Sequence, residues 1–457
     1  MQLGERLRTA GRRAGRAGRS SGVQVEHGGG PGSAGELVFC GPLPPADTGI
    51  ATYDRAVLDG LQRIGFMQRH DLDVRWPIQP KDAIAFPGYH LGIFQLGNNV
   101  EFHLEIYRAA FLTNALIVLH DLALDDFVRG LKTAGDPLGY MAAREATRSA
   151  GRLTSPDIVR NEPLREPWAA HVARRARGIV VHAEFCRRYL EEAGCRTPIF
   201  VVPHPIVEAE GAIADAAARA RALRAQLEAD GIRRLVVAPG DMNEAKRLDA
   251  VVAAAAGLAE DARVAIVGRR IEGYDVAAVV GSSGTDRVRV YPDVPDAEFL
   301  AWIAAADVVV DLRFPHRGES SGSLARAMQV GRPAIVSATG TYLDLPDDCV
   351  VRVAAGPPDP VALTETIRGL LDDGELRARI GGAAAAHVER RRREDATARG
   401  YEQAIERTLA LVRDPARKAM AIWGKSLVDV GITEDMVARG FGMEYARALE
   451  GFSARTP

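Results

Sequence analysis

The chain has 457 residues, 47% hydrophobic and 26% charged, with a formal net charge of −2. That length suggests two or three domains with sizeable cores, and the near-neutral balance gives no footing for nucleic acid as the partner. No uninterrupted apolar stretch approaches the ~18 residues of a membrane-spanning helix. The four cysteines, Cys40, Cys186, Cys195 and Cys349, have neither metal-ligand spacing nor the density of a disulfide framework, which points to a reducing cytoplasm.

Residues 1–33 place Arg6, Arg8, Arg12, Arg13, Arg16 and Arg19 among Gly, Ala and Ser. Without an apolar segment they read as a basic disordered tail rather than a secretory signal, with contact to anionic lipid as the functional alternative. Short apolar runs then recur at 37–40, 72–74, 92–96, 115–119, 178–181 and 199–202, with helical patterns between several of them. A second series follows at 235–238, 264–267, 288–291, 308–310, 334–336 and 350–353. Strands that alternate with helices predict doubly wound α/β domains. We therefore expect two Rossmann-like lobes facing each other across a cleft, at 34–208 and 233–400. A linker helix is expected at 209–232, a helical insertion at 131–173 and a helical tail at 401–457.

The richest segment spans residues 307–337. A fully apolar strand (308–310) gives way to a loop with Asp311, Arg313, His316, Arg317 and Glu319, then to Ser320, Ser321, Gly322 and Ser323, which open an apolar-periodic helix. Ligands bind beyond the carboxyl ends of parallel strands, and the free N–H groups of a helix start favour an anion. This turn is thus a candidate phosphate site, with Glu319 placed to grip hydroxyls. Lys246 and Arg247 lie in a loop after the 235–238 run, where cations can neutralise a leaving diphosphate. Gly49, just past a strand and Pro44-Pro45, would let backbone approach a ligand. His120 and Asp121 close the 115–119 strand at its carboxyl edge. Asn99 and His103 are weaker candidates nearby, while His182 and His204 are read as structural. Arg390, Arg391, Arg392 and Arg393, followed by Glu394 and Asp395, read as an exposed helix face, with a membrane-surface or acceptor-phosphate contact as the alternative.

Four signatures in order give the chain a resemblance: Pro42-Leu43-Pro44-Pro45-Ala46-Asp47-Thr48-Gly49-Ile50-Ala51, then Gln95-Leu96-Gly97-Asn98-Asn99 with Leu119-His120-Asp121, then Gly240-Asp241-Met242-Asn243-Glu244-Ala245-Lys246-Arg247, and last Asp311-Leu312-Arg313-Phe314-Pro315 through Gly318-Glu319-Ser320-Ser321-Gly322-Ser323. Across roughly residues 36–355 the chain resembles the retaining GT-B glycosyltransferases of the family-4 group, in particular members that build surface polysaccharides.

The resemblance implies transfer of a hexose from a UDP- or GDP-sugar to a hydroxyl, with retention and without a metal or other cofactor. It implies a sugar or lipid-linked saccharide as acceptor, in the cytoplasm or peripherally at the inner membrane face. His120, Glu319 and Lys246 would carry catalysis. Gly49, Arg247, Arg313, Ser320, Ser321, Gly322 and Ser323 would bind the donor, with Asp121, Asn99 and His103 near the sugar or acceptor. Two positions depart from the family pattern. Asp241 stands where an Arg is expected, and Arg326 where a ribose-binding acid is expected. These departures keep open a non-catalytic nucleotide-sugar-binding or scaffold protein, and the shared fold keeps open a nucleotide-sugar epimerase.

Overall fold

The computed structural model describes residues 36–413, apart from 47, 80–81, 83–85, 206–207, 209 and 357–358. The basic segment at 1–33 and the part of the expected helical tail beyond residue 413 lie outside the described residues. Among the described residues twelve strands form two sheets. The first contains β1 (Leu37–Cys40), β2 (Leu72–Arg75), β3 (Leu91–Leu96), β4 (Ala115–Leu119), β5 (Gly178–Val181) and β6 (Ile199–Val201), in the order β2-β1-β3-β4-β5-β6. The second contains β7 (Arg234–Pro239), β8 (Ala262–Gly268), β9 (Val288–Pro292), β10 (Val308–Asp311), β11 (Ala334–Ser337) and β12 (Val351–Val353), in the order β12-β11-β10-β7-β8-β9. Every pairing is parallel.

Burial explains why the inner strands are near-continuous apolar runs rather than alternating. Every residue of β1, β3, β4, β5, β10 and β11 is buried, because helices cover both faces of a parallel sheet. The edge strands β2, β6 and β12 are only half-buried along their whole length. Each sheet has one point where its strand order reverses, between β1 and β3 in the first and between β7 and β10 in the second. Loops leaving such neighbours diverge and open a crevice at the carboxyl ends.

The insertion between β4 and β5 is helical, with Asp125–Thr133, Pro137–Arg148 and Ala170–Arg175 as its main segments. Helix Glu210–Ala229 buries Ala216, Ala220 and Leu227 in the core of the second sheet, beside Trp302 and Ile303. The last described helix, Ala396–Arg413, returns to the first lobe. Tyr401, Ala404, Ile405 and Leu409 join Leu37, Phe39, Val57 and Leu61 in one core, and the Tyr401 and Tyr53 hydroxyls share a 2.7 Å hydrogen bond. Among the described residues no helix is long and apolar enough to cross a membrane.

Because Ile405 is fully buried in that core, Ile405→Ala should cost about 2–5 kcal/mol in urea unfolding, as for other large-to-small core changes. A change below ~0.5 kcal/mol, the range of surface substitutions, would mean that the helix is not integral to the first lobe.

Candidate functional site

The crevice of the second sheet is organised by Asp311, the last residue of β10. This fully buried carboxylate collects the Lys246 ammonium, the Ser321 hydroxyl at 2.5 Å and the Tyr342 hydroxyl at 2.9 Å. Lys246 is buried as well and donates to the Pro239 carbonyl at 3.1 Å. Burial pulls the ammonium down from its ordinary pKa. Burial also pushes the carboxyl up, but Lys246 and Arg313 hold Asp311 below the usual carboxylate range. The pair is therefore ionic, the state in which a buried charge is tolerated.

Ser321 also caps helix Gly322–Gln329 by accepting from the Leu324 N–H at 3.2 Å. The same carboxylate thus fixes the start of the helix, whose first N–H groups have no intrahelical acceptor. The loops after β7 and β8 pack tightly behind it. Gly240 has φ +117°, and a Cβ there would lie 2.8 Å from both Lys246 Nζ and Ser323 Oγ. At Gly268 (φ +149°) a Cβ would lie 2.1 Å from the Gly240 carbonyl oxygen.

Glu319 precedes the turn. It accepts from Arg313 Nη1 at 2.5 Å and from the Arg317 N–H at 2.8 Å. Burial raises this carboxyl, but His316 and Arg313, with the Arg317 N–H, outweigh it and hold the pKa at about 2. The Gly318 N–H donates to His316 Nδ1 at 2.9 Å, and burial pulls that imidazole to about 4, so at neutral pH Arg313 is the counter-charge. The first lobe grips this loop. Asn161 Oδ1 accepts from the His316 N–H at 2.7 Å, and the Arg317 carbonyl accepts from the Leu122 and Ala123 N–H groups at 2.9 and 3.0 Å.

Across the cleft, Thr48 caps helix Gly49–Arg63 by accepting from the Ile50 N–H at 3.4 Å, and a Cβ at Gly49 would meet nothing within 4 Å. His120 Nε2 donates to Gln95 Oε1 at 2.9 Å, which leaves Nδ1 as a lone pair. The ring of Tyr53 stands edge-on to His120 at 4.6 Å and lies 5.1 Å from both His182 and His204. Burial is the main cause that pulls all three imidazoles down, His120 well below its ordinary value, His182 to about 4 and His204 to about 3. They therefore act as neutral hydrogen-bond partners near pH 7. Asp121 accepts from the Asn98 N–H at 3.0 Å, while burial and the Glu319 charge push its carboxyl up to about 6.

Two adjoining cavities bring both lobes together. One of about 590 Å³ is lined by Thr48 and Gly49 on one side and by Gly240, Lys246, Arg269, Arg313, Ser320, Ser321, Gly322 and Ser323 on the other. The other, about 380 Å³, joins Gly49, Tyr53, His120, Asp121, His182 and His204 to Arg269, Glu319, Ser320 and Gly322. Both fall in the ~300–1,000 Å³ range of small-molecule sites. Among the described residues no group of three His, Cys, Asp or Glu side chains is arranged to hold a metal ion.

Several expectations need correction. Arg247 lines neither cavity. It sits at φ 50° with its guanidinium on Asp249 at 2.8 Å and on the Gly356 carbonyl at 3.4 Å, so the acid two residues on has captured the expected diphosphate cation. Arg269, which sequence reasoning missed, lines both cavities. It follows β8 directly and pairs with Asp241 at 3.0 Å, so the acid at the expected Arg position anchors an Arg from the next strand. His182 and His204, read as structural, line the smaller cavity. Their position just past β5 and β6 was the available signal. His103 is 1% exposed and donates to the Gln95 carbonyl at 3.1 Å, and Asn99 spends its side chain capping helix Val100–Ala110 through the Glu101 N–H at 2.8 Å. Both nonetheless border a third cavity of about 430 Å³ that shares Thr48, Asp121 and Arg269 with the smaller one, in the vicinity expected of them. Arg326 is paired with Glu208 at 2.6 Å.

Residues 233–373 match the family Glycosyl transferases group 1. The match falls within the second lobe. The chain is 32% identical over 182 residues to D-inositol 3-phosphate glycosyltransferase of Xylanimonas cellulosilytica, covering 38% of this chain and 43% of that protein. It is 31% identical over 129 residues to D-inositol 3-phosphate glycosyltransferase 1 of Catenulispora acidiphila, covering 28% of each. It thus spans less than half the length of these curated relatives. Among solved structures, HepE of Anabaena, crystallised with UDP and glucose, superposes with a TM-score of 0.55 at 15% identity, covering 82% of this chain and 99% of that one. Sucrose-phosphate synthase of Thermosynechococcus elongatus gives 0.56 at 18% identity with the same coverage. These likenesses establish the fold as GT-B, two α/β lobes about a cleft.

Replacing Lys246 by Met leaves Asp311 buried with hydroxyl donors only, and should cost about 3–5 kcal/mol at pH 7. The loss should shrink toward pH 4, because the Asp311 pKa then lies above its unfolded value of ~3.9 and the folded protein takes up a proton. Equal losses in urea melts at both pH values would argue against the buried ion pair. Asp121, raised to about 6, holds a proton when folded that the unfolded chain releases near ~4. Stability therefore falls as pH rises from about 4 to about 6, and thermal melts should show Asp121→Asn flattening that slope.

Proposed function

We propose that the protein transfers a hexose from a UDP- or GDP-sugar to a hydroxyl of a sugar or lipid-linked saccharide, with retention of anomeric configuration, in the synthesis of a surface polysaccharide or glycoconjugate. The observation that carries this reading is the cradle at the start of helix Gly322–Gln329. Its free N–H groups, locked in place by Asp311, stand beside Lys246 and Arg269 and open onto Gly49 and His120 of the other lobe.

In this reading the donor diphosphate sits over the helix start. Breaking the bond between the anomeric carbon and the phosphate oxygen puts charge on the diphosphate, where the N–H groups, Lys246 and Arg269 stabilise it most. Glu319 is ionised throughout the neutral range and accepts from sugar hydroxyls. The His120 Nδ1 lone pair does the same from the first lobe, which fixes the ring for attack. The acceptor hydroxyl approaches on the face the diphosphate leaves and passes its proton to a departing phosphate oxygen. No protein nucleophile is then required, and the configuration is retained.

A second reading, a nucleotide-sugar-binding protein without transfer, is favoured by Arg326, which lines both cleft cavities where a ribose-binding acid was expected and is already paired with Glu208. Isothermal titration with UDP and GDP separates the two. Binding of one nucleotide together with transfer or donor hydrolysis supports the enzyme, binding alone supports the second reading, and no binding of either removes both. Glu319→Ala should lower transfer at least ~100-fold, as loss of one preorganised electrostatic group does, while nucleotide affinity changes little. A wild-type rate in that variant would overturn the role given to Glu319.

A further inference from the structure

Behind the Ser320–Ser323 turn a cavity of about 270 Å³ opens off the cleft and reaches helix Gly374–Arg393. Its polar wall includes His182 and His204 from the loops after β5 and β6, with His387 and Arg391 from the helix. In the sequence Arg391 is one of four consecutive cations and would be expected on an exposed face. The structure divides the run. Arg392 and Arg393 pair with Glu389 at 2.7 and 2.6 Å. Arg391 turns inward, where it meets no carboxylate among the described residues. Its Nη2 donates to the His204 carbonyl at 2.5 Å, and its Nε–H is buried without an acceptor.

A second orphan borders the same cavity. His182 Nδ1 lies 3.0 Å from the Val202 carbonyl and must donate to it, so Nε2 carries the lone pair, and that atom is buried without a donor. The other charged neighbours are committed elsewhere. Arg326 is held by Glu208 at 2.6 Å, and Asp344 accepts from the Phe185 N–H at 2.7 Å. Burial keeps His204 and His387 low, and therefore neutral near pH 7.

A buried guanidinium N–H without an acceptor and a buried imidazole lone pair without a donor each carry a desolvation penalty. One chemical group answers both, an oxyanion that also bears a hydroxyl proton. A monoprotonated phosphate accepts from the Arg391 Nε–H through one oxygen and donates to His182 Nε2 through its P–OH. A carboxylate lacks the donor, and a sugar hydroxyl lacks the charge. At ~30 Å³ per water the cavity has the volume of roughly nine waters, enough for a phosphate and a small carbon skeleton. Leu324, Met328 and Val388 give that skeleton an apolar wall.

We propose that this cavity is a phosphate subsite, with Arg391 and His182 as its ligands, taking inorganic phosphate or the phosphate of a small phosphomonoester. Arg391 has no part in the transfer reaction proposed above, so the subsite stands or falls separately from it.

The test is isothermal titration of the full chain with inorganic phosphate, glycerol 3-phosphate and glycerol. Both phosphates should bind, more tightly at pH 6 than at pH 8 as the ligand gains its proton, and glycerol should not. Tighter binding of glycerol 3-phosphate than of inorganic phosphate marks a phosphomonoester as the source, and the reverse order marks free phosphate. Arg391→Gln should weaken both at least ~10-fold, the loss expected for one charged hydrogen-bond partner, whereas Arg269→Gln in the donor cradle should leave them unchanged. If Arg391→Gln does not fold, His182→Phe, which keeps the ring and removes the lone pair, should show the same loss. Absence of phosphate binding at millimolar concentration overturns the subsite, as does wild-type binding in the variant that folds, or loss of binding in Arg269→Gln alone.

Discussion

Asp311 is a charge that the fold can bury only by building a site around it. It ends the central strand of its sheet, where no water can solvate it, so its compensation has to come from neighbouring loops. Lys246 arrives from the loop after β7, Ser321 from the cap of the next helix and Tyr342 from the turn after β11. Meeting one carboxylate's demand for donors thus fixes three loops relative to each other. The helix start that results is rigid, carries unspent N–H groups and lies where the strand order reverses. The local geometry of the cleft follows from this convergence more than from any residue that faces the ligand directly.

The charges around the cleft are set in pairs rather than residue by residue. Arg313 keeps Glu319 ionised far below neutral pH, and that retained negative charge helps lift Asp121 into the neutral range. Two carboxyls in one cleft are thereby driven to different protonation behaviour by their surroundings, the pattern expected where acids have distinct tasks. The same logic explains the two departures from the family pattern. Asp241 holds Arg269, and Arg326 is matched by Glu208 from the interlobe connection. The sign of the charge at one position therefore says little until its partner is known.

This sets the limit on what could be read from the chain. The strands of both sheets were legible because a strand buried on both faces is a near-continuous apolar run, and the half-buried edges β2 and β12 still keep Leu72, Val74, Val351 and Val353 around their charged residues. Lys246, Glu319 and the Ser320–Ser323 turn were legible because they lie just past strand ends in short, chemically distinctive loops. Arg247 and Arg269 could not be ranked correctly, since each follows a strand of the second sheet and only the acids beside them decide which one faces the cleft. Arg391 was concealed among identical neighbours, because burial on one side of a helix leaves no mark in a run of four arginines. Helix Ala396–Arg413 has an amphipathic pattern that would suit either lobe, and nothing local records that it packs on the first.

The grip of the first lobe on the loop that carries Glu319 has a mechanical consequence. Asn161, Leu122 and Ala123 hold this loop by its backbone, while Arg313 holds the Glu319 side chain from the other sheet. A rotation that parts the lobes must either break those backbone hydrogen bonds or peel the loop away from β10. Access to the cleft and the posture of Glu319 are therefore a single degree of freedom. The contact works as a latch, and the carboxylate rides on its bolt.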